Sequence, residues 1–243
     1  PLVRPFSTWT PGSRRRSPLL STHSCPSSPR AHITKSGYSG RLLIRHPIDG
    51  EGRSWAELSG YRPDEKAVPQ GTRIPFLSAM SLLDGVDQQP RSYLEIAEVI
   101  RRFGAQARAD LSELWRRMAF NILVSNTDDH LRNHGFLYAG GGGWTLSPAY
   151  DLNPVPVAVK PRFLSTAIGE DPNDTSASLL LAFEVAEYFE LDEEEARSIA
   201  LEVAGVTRQW ADRAQSLGIS GPEIDLMSSA FEHDDLALAL SSA

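Results

Sequence analysis

Four consecutive glycines, at positions 140–143, constrain the fold of this chain more than any other feature. They separate two short runs rich in apolar and aromatic residues, at positions 136–139 and 144–147. Two such runs joined by a short glycine-rich connection are typical of a β-hairpin. Because a hairpin returns the chain to its starting point, the residues just before its first strand and just after its second strand are predicted to be neighbours in space.

Oxygen-bearing side chains occupy both of these flanks. Asp128 and Asn133 precede the predicted hairpin, and Asp151 follows it. Carboxylate and amide oxygens suit Mg²⁺, which usually takes one or two carboxylates and completes its coordination with water and phosphate. The interval from Asp128 to Asn133 is D-x-x-x-x-N, which in kinase catalytic loops separates the residue that accepts the hydroxyl proton from a metal-binding asparagine. The three residues together predict a metal-dependent phosphoryl-transfer site.

Three neighbours of this set have simpler interpretations. We expect Asp129 to be a solvent-facing or loop-capping acid, and His134 to be a hydrogen-bonded loop residue. His130 and His134 stand four residues apart, a spacing that on a helix could hold a metal ion. The asparagine and the glycine on either side of His134 argue against a continuing helix there.

Two helices are predicted to precede the hairpin. Residues 92–103 have apolar residues on one face and are followed by Gly104, a plausible C-terminal cap. Asp110 and Glu113 have the spacing of a capping box that opens a second helix ending near Ser125. This second helix has a broad apolar stripe made of Leu111, Leu114, Trp115, Met118, Ile122 and Leu123.

Helices are also predicted to dominate the C-terminal part of the chain. Residues 155–172 contain prolines and read as irregular, and residues 179–189 read as a helix. A capping box at Asp192 opens a helix to about Leu217, and Ser220 begins another. The fold class is therefore predicted as α+β and mainly α-helical, with residues 71–243 forming one unit around a small β-hairpin.

The N-terminal segment, residues 1–70, has a different composition. Residues 1–48 hold 8 of the 24 basic residues and none of the 31 acidic ones, and residues 1–30 are rich in Ser, Pro and Arg. Such a sequence buries too little apolar surface to offset the entropy of ordering it. We expect residues 1–70 to be disordered or degenerate; a transit peptide and a nucleic-acid contact through the arginine cluster are the alternatives.

Composition also limits the class of protein. The single cysteine, Cys25, excludes an internal disulfide framework. No apolar run approaches the roughly 20 residues that span a bilayer. We therefore expect a soluble, cytoplasmic protein without membrane contact.

The stretch "FNILVSNTDDHLRNHGFLY", followed by "WTLSPAYDLNP", resembles the C-terminal lobe of the HipA-like serine/threonine kinases, bacterial toxins of toxin-antitoxin modules and their relatives. The resemblance covers residues 73–231. It implies a kinase-like C-terminal lobe whose hairpin carries the metal site, with Asp128 as catalytic base and His130 as a structural member of the catalytic loop. It further implies Asn133 and Asp151 as Mg²⁺ ligands and ATP as phosphoryl donor.

The same resemblance implies a protein substrate and a DNA-binding antitoxin as partner, with no direct contact to nucleic acid. Kinases of this kind also need an N-terminal lobe with a phosphate-covering loop and a lysine. Only Lys35, in "AHITKSGYSG", is a local candidate for that lysine, and its context is a weak match. We therefore expect the N-terminal lobe to be truncated and the kinase activity to be impaired.

Two other functions remain open. The chain could be a catalytically inactive module that binds a basic partner surface, since residues 49–243 hold all 31 acidic residues. It could also be a metal-dependent phosphohydrolase, in which Asp128, Asp129 and His130 hold a transition metal that activates water.

Overall fold

The computed structural model describes residues 74–241. The predictions for residues 1–70, including Lys35 and the N-terminal lobe, lie outside the described residues. The described part consists mainly of helices, with one small antiparallel sheet. None of the helices in residues 74–241 is both long enough and apolar enough to cross a bilayer.

The sheet has three strands in the order β1, β2, β3: Phe76–Ser78, Gly135–Gly140 and Gly143–Leu146. The second and third strands form the predicted hairpin. In its turn, Gly140, Gly141 and Gly142 have φ values of 86°, 59° and 87°, which only glycine adopts at little cost. The first strand pairs with β2, and it was not predicted because three residues are too few to show alternation.

Eight α-helices are described. They are α1 (Ala79–Leu82), α2 (Tyr93–Phe103), α3 (Ala107–Leu123), α4 (Leu179–Glu184), α5 (Glu193–Thr207), α6 (Trp210–Ser216), α7 (Gly221–Phe231) and α8 (Asp234–Ser241). Two 3₁₀ turns, Leu131–Asn133 and Ala186–Phe189, complete the regular structure of these residues. Residues 155–172, predicted to be irregular, contain neither helix nor strand. The mainly helical α+β prediction is confirmed for the described residues.

Helix α2 has the predicted boundaries. Ser92 and Glu95 form a capping box at its start, which satisfies two backbone N–H groups that the first turn would otherwise leave unpaired. Gly104 caps its end with an ordinary φ of −69°. A Cβ at Gly104 would lie 2.4 Å from the carbonyl oxygen of Ile100, so close backbone approach is what requires glycine there.

The predicted start of α3 is wrong. The helix begins at Ala107, and Asp110 lies in its first turn rather than at its cap. The Asp110 carboxylate instead accepts a hydrogen bond of 2.9 Å from the hydroxyl of Thr145 on β3. A tertiary contact to the hairpin therefore uses the side chain that would have formed the capping box with Glu113.

The C-terminal helices follow the predicted caps more closely than the predicted ends. Capping boxes at Asp192 and Ser220 open α5 and α7. Helix α5 ends at Thr207, not at Leu217, although no glycine or proline interrupts the sequence between these positions. The Trp210 ring stacks on the Phe231 ring at 4.5 Å, and we attribute the break to this packing.

Helix α3 forms the centre of the core. Every residue of its predicted apolar stripe is buried, and the indole N–H of Trp115 donates to the carbonyl of Ala182 at 3.1 Å. Helices α2, α4, α5 and α8 and strand β3 all pack against it. Helix α3 is therefore held on several sides, and the candidate site begins at its C-terminal end.

Candidate functional site

The loop that follows α3, residues 124–134, carries the first half of the candidate site. Ser125 has a φ of 52°, and the backbone N–H of Asn126 donates back to the carbonyl of Asn121 at 2.8 Å. These features end the helix and turn the chain toward the hairpin. We refer to residues 124–134 as the site loop.

Asp128 and Asn133 are brought together within the site loop. The Asp128 carboxylate is exposed, whereas Asn133 is buried. The side-chain amide of Asn133 donates to the Asp128 carbonyl at 3.1 Å, and the backbone N–H of His130 donates to the same carbonyl at 3.0 Å. His130 is half-buried. These two hydrogen bonds hold the backbone of Asp128 while leaving its carboxylate in solvent.

Asp151 lies beyond the other arm of the hairpin. It is exposed, with a φ of 56°. One carboxylate oxygen accepts a hydrogen bond of 2.6 Å from the Asn153 amide, which leaves the second oxygen available to a ligand. The hydroxyl of Tyr150 donates to the carbonyl of Arg132 in the site loop. The hairpin therefore brings its two flanks into contact, as the sequence predicted.

The pKa of Tyr150 is affected by charged residues on both flanks of the hairpin. Burial is the main cause that raises the pKa of Tyr150, and the negative charges of Asp151 and Asp129 raise that pKa further, against an opposing effect of Arg117. The two aspartates on opposite arms therefore act on one phenol.

A buried polar network lies beneath the exposed residues. The Tyr93 hydroxyl donates to the Asp129 carboxylate, and Nε2 of His134 lies 3.2 Å from the same carboxylate. Asn121 donates to the Tyr93 hydroxyl at 3.0 Å, and Asn126 donates to Asn121 at 3.0 Å. All five side chains are buried. We call them the buried network.

Asp129 is the charged centre of the buried network. Burial by itself would raise the pKa of its carboxyl group, but the charge and hydrogen bond of His134, with hydrogen bonds from Tyr93 and Asn121, hold that pKa below its ordinary value. For Tyr93, burial and the Asp129 charge raise the pKa well above the usual value of a phenol. The hydrogen bonds and charge around Asp129 therefore favour the ionised form of this buried carboxyl group.

The prediction that Asp129 faces solvent or caps a loop is wrong, because its side chain is buried and contacts the side chains of Tyr93 and His134. The prediction that His134 is a hydrogen-bonded loop residue is confirmed. Nε2 of His134 lies beside Asp129, and its Nδ1 is buried without a hydrogen-bond partner among the described residues.

The irregular segment 155–172 supports the site loop from another side. Lys160 and the hydroxyl of Ser165 both donate to the carbonyl of Thr127, at 2.8 and 3.0 Å. The hydroxyl of Thr166 donates to the carbonyl of Asp129 at 2.7 Å. The carbonyls on both sides of Asp128 are therefore held by side chains of this segment.

Arg162, in the same segment, links the start of the site loop to α8. Its guanidinium donates to the hydroxyl of Ser125 and to the carbonyl of Ile122, both at 3.0 Å. It also forms an ion pair of 2.8 Å with Asp235. Nearby, Nε2 of His233 lies 3.2 Å from the carbonyl of Leu123. These contacts satisfy polar groups at the end of α3 that the helix itself leaves unpaired.

The side chains of Asp128, Asn133 and Asp151 offer only oxygen ligands, which suit a hard cation such as Mg²⁺. Within residues 74–241, no group of three or more His, Cys, Asp or Glu side chains is arranged to hold a metal ion. Because the carboxylate of Asp129 is buried, Asp128, Asp129 and His130 are not placed to share a transition metal. This observation counts against the phosphohydrolase interpretation.

Sequence reasoning missed most of the supporting residues, namely Tyr93, Asn121, Asn126, Lys160, Arg162 and Thr166. Asn121 gave one signal, because an amide close to the apolar stripe of a buried helix needs a polar partner. The residues of segment 155–172 gave none, since irregular backbone has no periodicity from which contacts can be predicted.

Comparison with solved structures identifies the fold. The chain superposes on HipA in the Shewanella oneidensis MR-1 complex of HipA, HipB and operator DNA with a TM-score of 0.51. The match covers 74% of this chain and 46% of that chain, at 15% sequence identity. The described residues therefore have a HipA-like fold.

The family follows from the sequence. The family model of the HipA-like C-terminal domain matches residues 56–210, which is more than half of the chain. The chain belongs to the HipA-like C-terminal domain family, as the site-loop and hairpin motifs predicted.

Two curated relatives match shorter regions. A protein of Haemophilus influenzae named "Putative kinase" is 32% identical over 82 residues, which are 34% of this chain and 23% of that protein. "Putative kinase Y4dM" of Sinorhizobium fredii is 46% identical over 44 residues, which are 18% of this chain and 11% of that protein. The matched regions thus span less than a quarter of either relative.

Proposed function

We propose that this chain carries the phosphoryl-transfer site of an ATP-dependent protein serine/threonine kinase. In this proposal Asp128 is the general base, Asn133 and Asp151 are the Mg²⁺ ligands, and His130 supports the loop. The observation that carries it is the Asn133 hydrogen bond to Asp128, in a loop that the hairpin brings against the residue preceding Asp151.

The environments of the two adjacent aspartates support Asp128 as the base. A general base must come within hydrogen-bond distance of the proton that it abstracts. Asp128 is exposed and so accessible to an acceptor hydroxyl, whereas Asp129 is 2% exposed and already bonded to two side chains. The carboxylate of Asp128 also lies on a backbone held by Asn133 and His130, which would limit the reorganisation needed for proton transfer.

The donor set supports Mg²⁺-ATP as the co-substrate. When bound, Mg²⁺-ATP would supply the transferable phosphoryl group and the positive charge that stabilises it. On the protein side, Asp151 and Asn133 would hold the metal. The amide nitrogen of Asn133 already donates to the backbone, so its oxygen is the atom left to serve as ligand.

The relatives support the same class of activity. The two curated relatives carry the names "Putative kinase" and "Putative kinase Y4dM". Serine/threonine specificity, ATP and a toxin role are the finer parts of the proposal.

The experiment is transfer of radiolabelled γ-phosphate from Mg²⁺-ATP to the chain itself and to candidate proteins. Asp128→Ala is expected to reduce incorporation at least about 100-fold, the usual contribution of a positioned general base. Asp212→Ala, which removes an exposed carboxylate on α6, is the matched control and should retain the wild-type rate. Equal incorporation in wild type and Asp128→Ala would exclude Asp128 as the base.

A second candidate function is partner binding without catalysis. The HipA of the solved structure is in a complex with HipB and operator DNA, and residues 49–243 of this chain are strongly acidic. Such a surface suits a basic protein partner, for example a DNA-binding antitoxin. Calorimetry discriminates between the two functions: partner binding together with no detectable Mg²⁺-ATP binding would favour the second.

A further inference from the structure

A groove next to the site loop is not used by the proposed chemistry. It has a volume of about 660 Å³ and lies between the α1–α2 connection, the site loop and the segment that precedes α4. Its lining includes Val86, Gln88, Gln89, His130, Asn173 and Thr175. We propose that this groove binds an extended, uncharged segment of the acceptor polypeptide. This inference rests on the proposed kinase function and adds the class of acceptor that the site takes.

The groove and the candidate base share the same loop. His130 and Leu131 form part of the groove wall, and the backbone N–H of His130 is bonded to the carbonyl of Asp128. A polypeptide in the groove would therefore lie within two residues of the candidate base. An acceptor hydroxyl has to reach Asp128 from a bound segment, and His130 and Leu131 connect this wall to Asp128 along the site loop.

The charges in the groove are neutralised internally. Arg132 forms an ion pair with Asp87, which lowers the pKa of the Asp87 carboxyl group and raises that of the Arg132 guanidinium. Arg91 is bonded to Glu95 at 2.6 Å and to Gln89 at 2.9 Å. Each arginine already pairs with a carboxylate, so a nucleotide or another phosphate-bearing ligand would have to displace that partner. An uncharged ligand avoids that displacement.

The remaining lining suits a peptide main chain. Gln88, Asn173 and Thr175 contribute neutral hydrogen-bonding groups, whereas the hydroxyls of Ser165 and Thr166 already donate to the site loop. Amides and hydroxyls can pair with the N–H and C=O groups that every residue of an extended segment presents. Between them lie apolar side chains, including Val86 and Leu131, which can contact the small apolar side chains of such a segment. The volume of the groove lies within the roughly 300–1,000 Å³ of ordinary ligand pockets, so the groove can hold a short peptide segment.

The test is photo-crosslinking of the full chain with a degenerate peptide library, without nucleotide. Each peptide has a central serine, a benzoylphenylalanine two positions away and flanking positions restricted to Gly, Ala, Val, Asn and Gln. A second library has Asp and Lys at the flanks. We expect the neutral library to label residues that line the groove, as located by mass spectrometry, and the charged library to label them several-fold less.

Val86→Trp is the variant that fills the groove, because Val86 lines it and is 69% exposed. Val159→Trp is the matched control, since Val159 is 72% exposed and does not line it. Labelling should fall at least about tenfold in Val86→Trp, as for the loss of a central contact, and stay unchanged in Val159→Trp. The proposal would be overturned if the peptides label residues outside the groove or label no residue. It would also be overturned if both variants lose labelling equally or if Mg²⁺-ATP competes with the peptides.

The two proposals fail in different ways. Crosslinking requires neither ATP nor the carboxylate of Asp128. The crosslinking experiment is therefore repeated with Asp128→Asn, and the labelling of the groove should be unchanged. Groove labelling with no phosphoryl transfer by the wild type would overturn the kinase function and the acceptor role of the bound peptide. Phosphoryl transfer that Val86→Trp leaves at the wild-type rate would overturn the groove and leave the kinase function standing.

Discussion

Asp128 and Asp129 are adjacent in the sequence and lie in opposite environments. Asp128 is exposed and, among the described residues, is held through its backbone. Asp129 is 2% exposed and bonded through its side chain to Tyr93 and His134. The comparison shows that the site loop divides two tasks between two carboxylates: one is available to a ligand, and the other anchors the loop to the core.

This division has an energetic reason. An exposed carboxylate costs little, whereas a buried one needs a charged partner and several hydrogen bonds to offset its desolvation. Helix α2 provides Tyr93, and His134 directly precedes strand β2, so Asp129 links the start of α2 to the start of β2. The backbone of Asp128 can then keep one geometry while its carboxylate stays available to a ligand.

The largest effect is expected from breaking the buried side of this pair. Asp129→Ala leaves the Tyr93 hydroxyl and His134 without their shared partner in a buried site, which typically costs about 3–5 kcal/mol. Urea denaturation followed by circular dichroism measures this loss. Asp128→Ala is the matched control and should stay within about 0.5 kcal/mol of wild type, as exposed sites do. Equal stabilities of the two variants would contradict the buried network.

A smaller loss is expected at the start of the site loop. Arg162→Ala removes the hydrogen bonds to Ser125 and Ile122 and the ion pair with Asp235, and should cost about 1–3 kcal/mol. Lys160→Ala removes only one hydrogen bond, to the carbonyl of Thr127, and should cost less than about 1 kcal/mol. The same denaturation assay ranks them, and a larger loss in Lys160→Ala would refute the role given to Arg162.

The smallest effects are expected from pH. Burial, helped by the positive charge of Arg162, lowers the pKa of His233, so the stability that neutral His233 contributes is lost as pH falls below about 6.5. The lowered pKa of Asp129 gives a second loss of stability below about pH 4. Asp110 acts oppositely, because burial raises its pKa and protonation favours the fold.

Denaturation at pH 7, 5.5 and 3.5 separates these contributions. His233→Gln should remove the loss between pH 7 and 5.5, and Asp110→Asn should remove the opposing gain at lower pH. If stability is unchanged between pH 7 and 5.5 in the wild type, His233 is not held neutral as described.

The sequence predicted the exposed half of the site better than the buried half. Asp128, Asn133 and Asp151 could be identified because a hairpin signal and a D-x-x-x-x-N interval are local patterns. The buried role of Asp129 could not be predicted, because its partner Tyr93 lies 36 residues away, at the start of helix α2. Burial of a charge depends on such distant partners, and a single sequence does not show them.

The fold was predictable to a similar degree. Capping residues at Asp192 and Ser220 mark helix starts correctly, since each depends on residues three positions apart. The Asp110 capping box failed because Thr145, 35 residues away, competes for the same carboxylate. The end of α5 was missed for the same kind of reason, since the ring contact between Trp210 and Phe231 is not local.

The most direct test of the division between the two carboxylates is one pair of variants in two assays. For Asp128→Asn and Asp129→Asn, the free energy of unfolding and the rate of γ-phosphate transfer per folded molecule are measured on the same preparations. Asp128→Asn should keep its stability within about 0.5 kcal/mol and lose at least about 100-fold in rate. Asp129→Asn should lose about 1–3 kcal/mol and less rate than Asp128→Asn. The reverse pattern, with Asp128→Asn unstable and Asp129→Asn inactive but stable, would contradict this assignment.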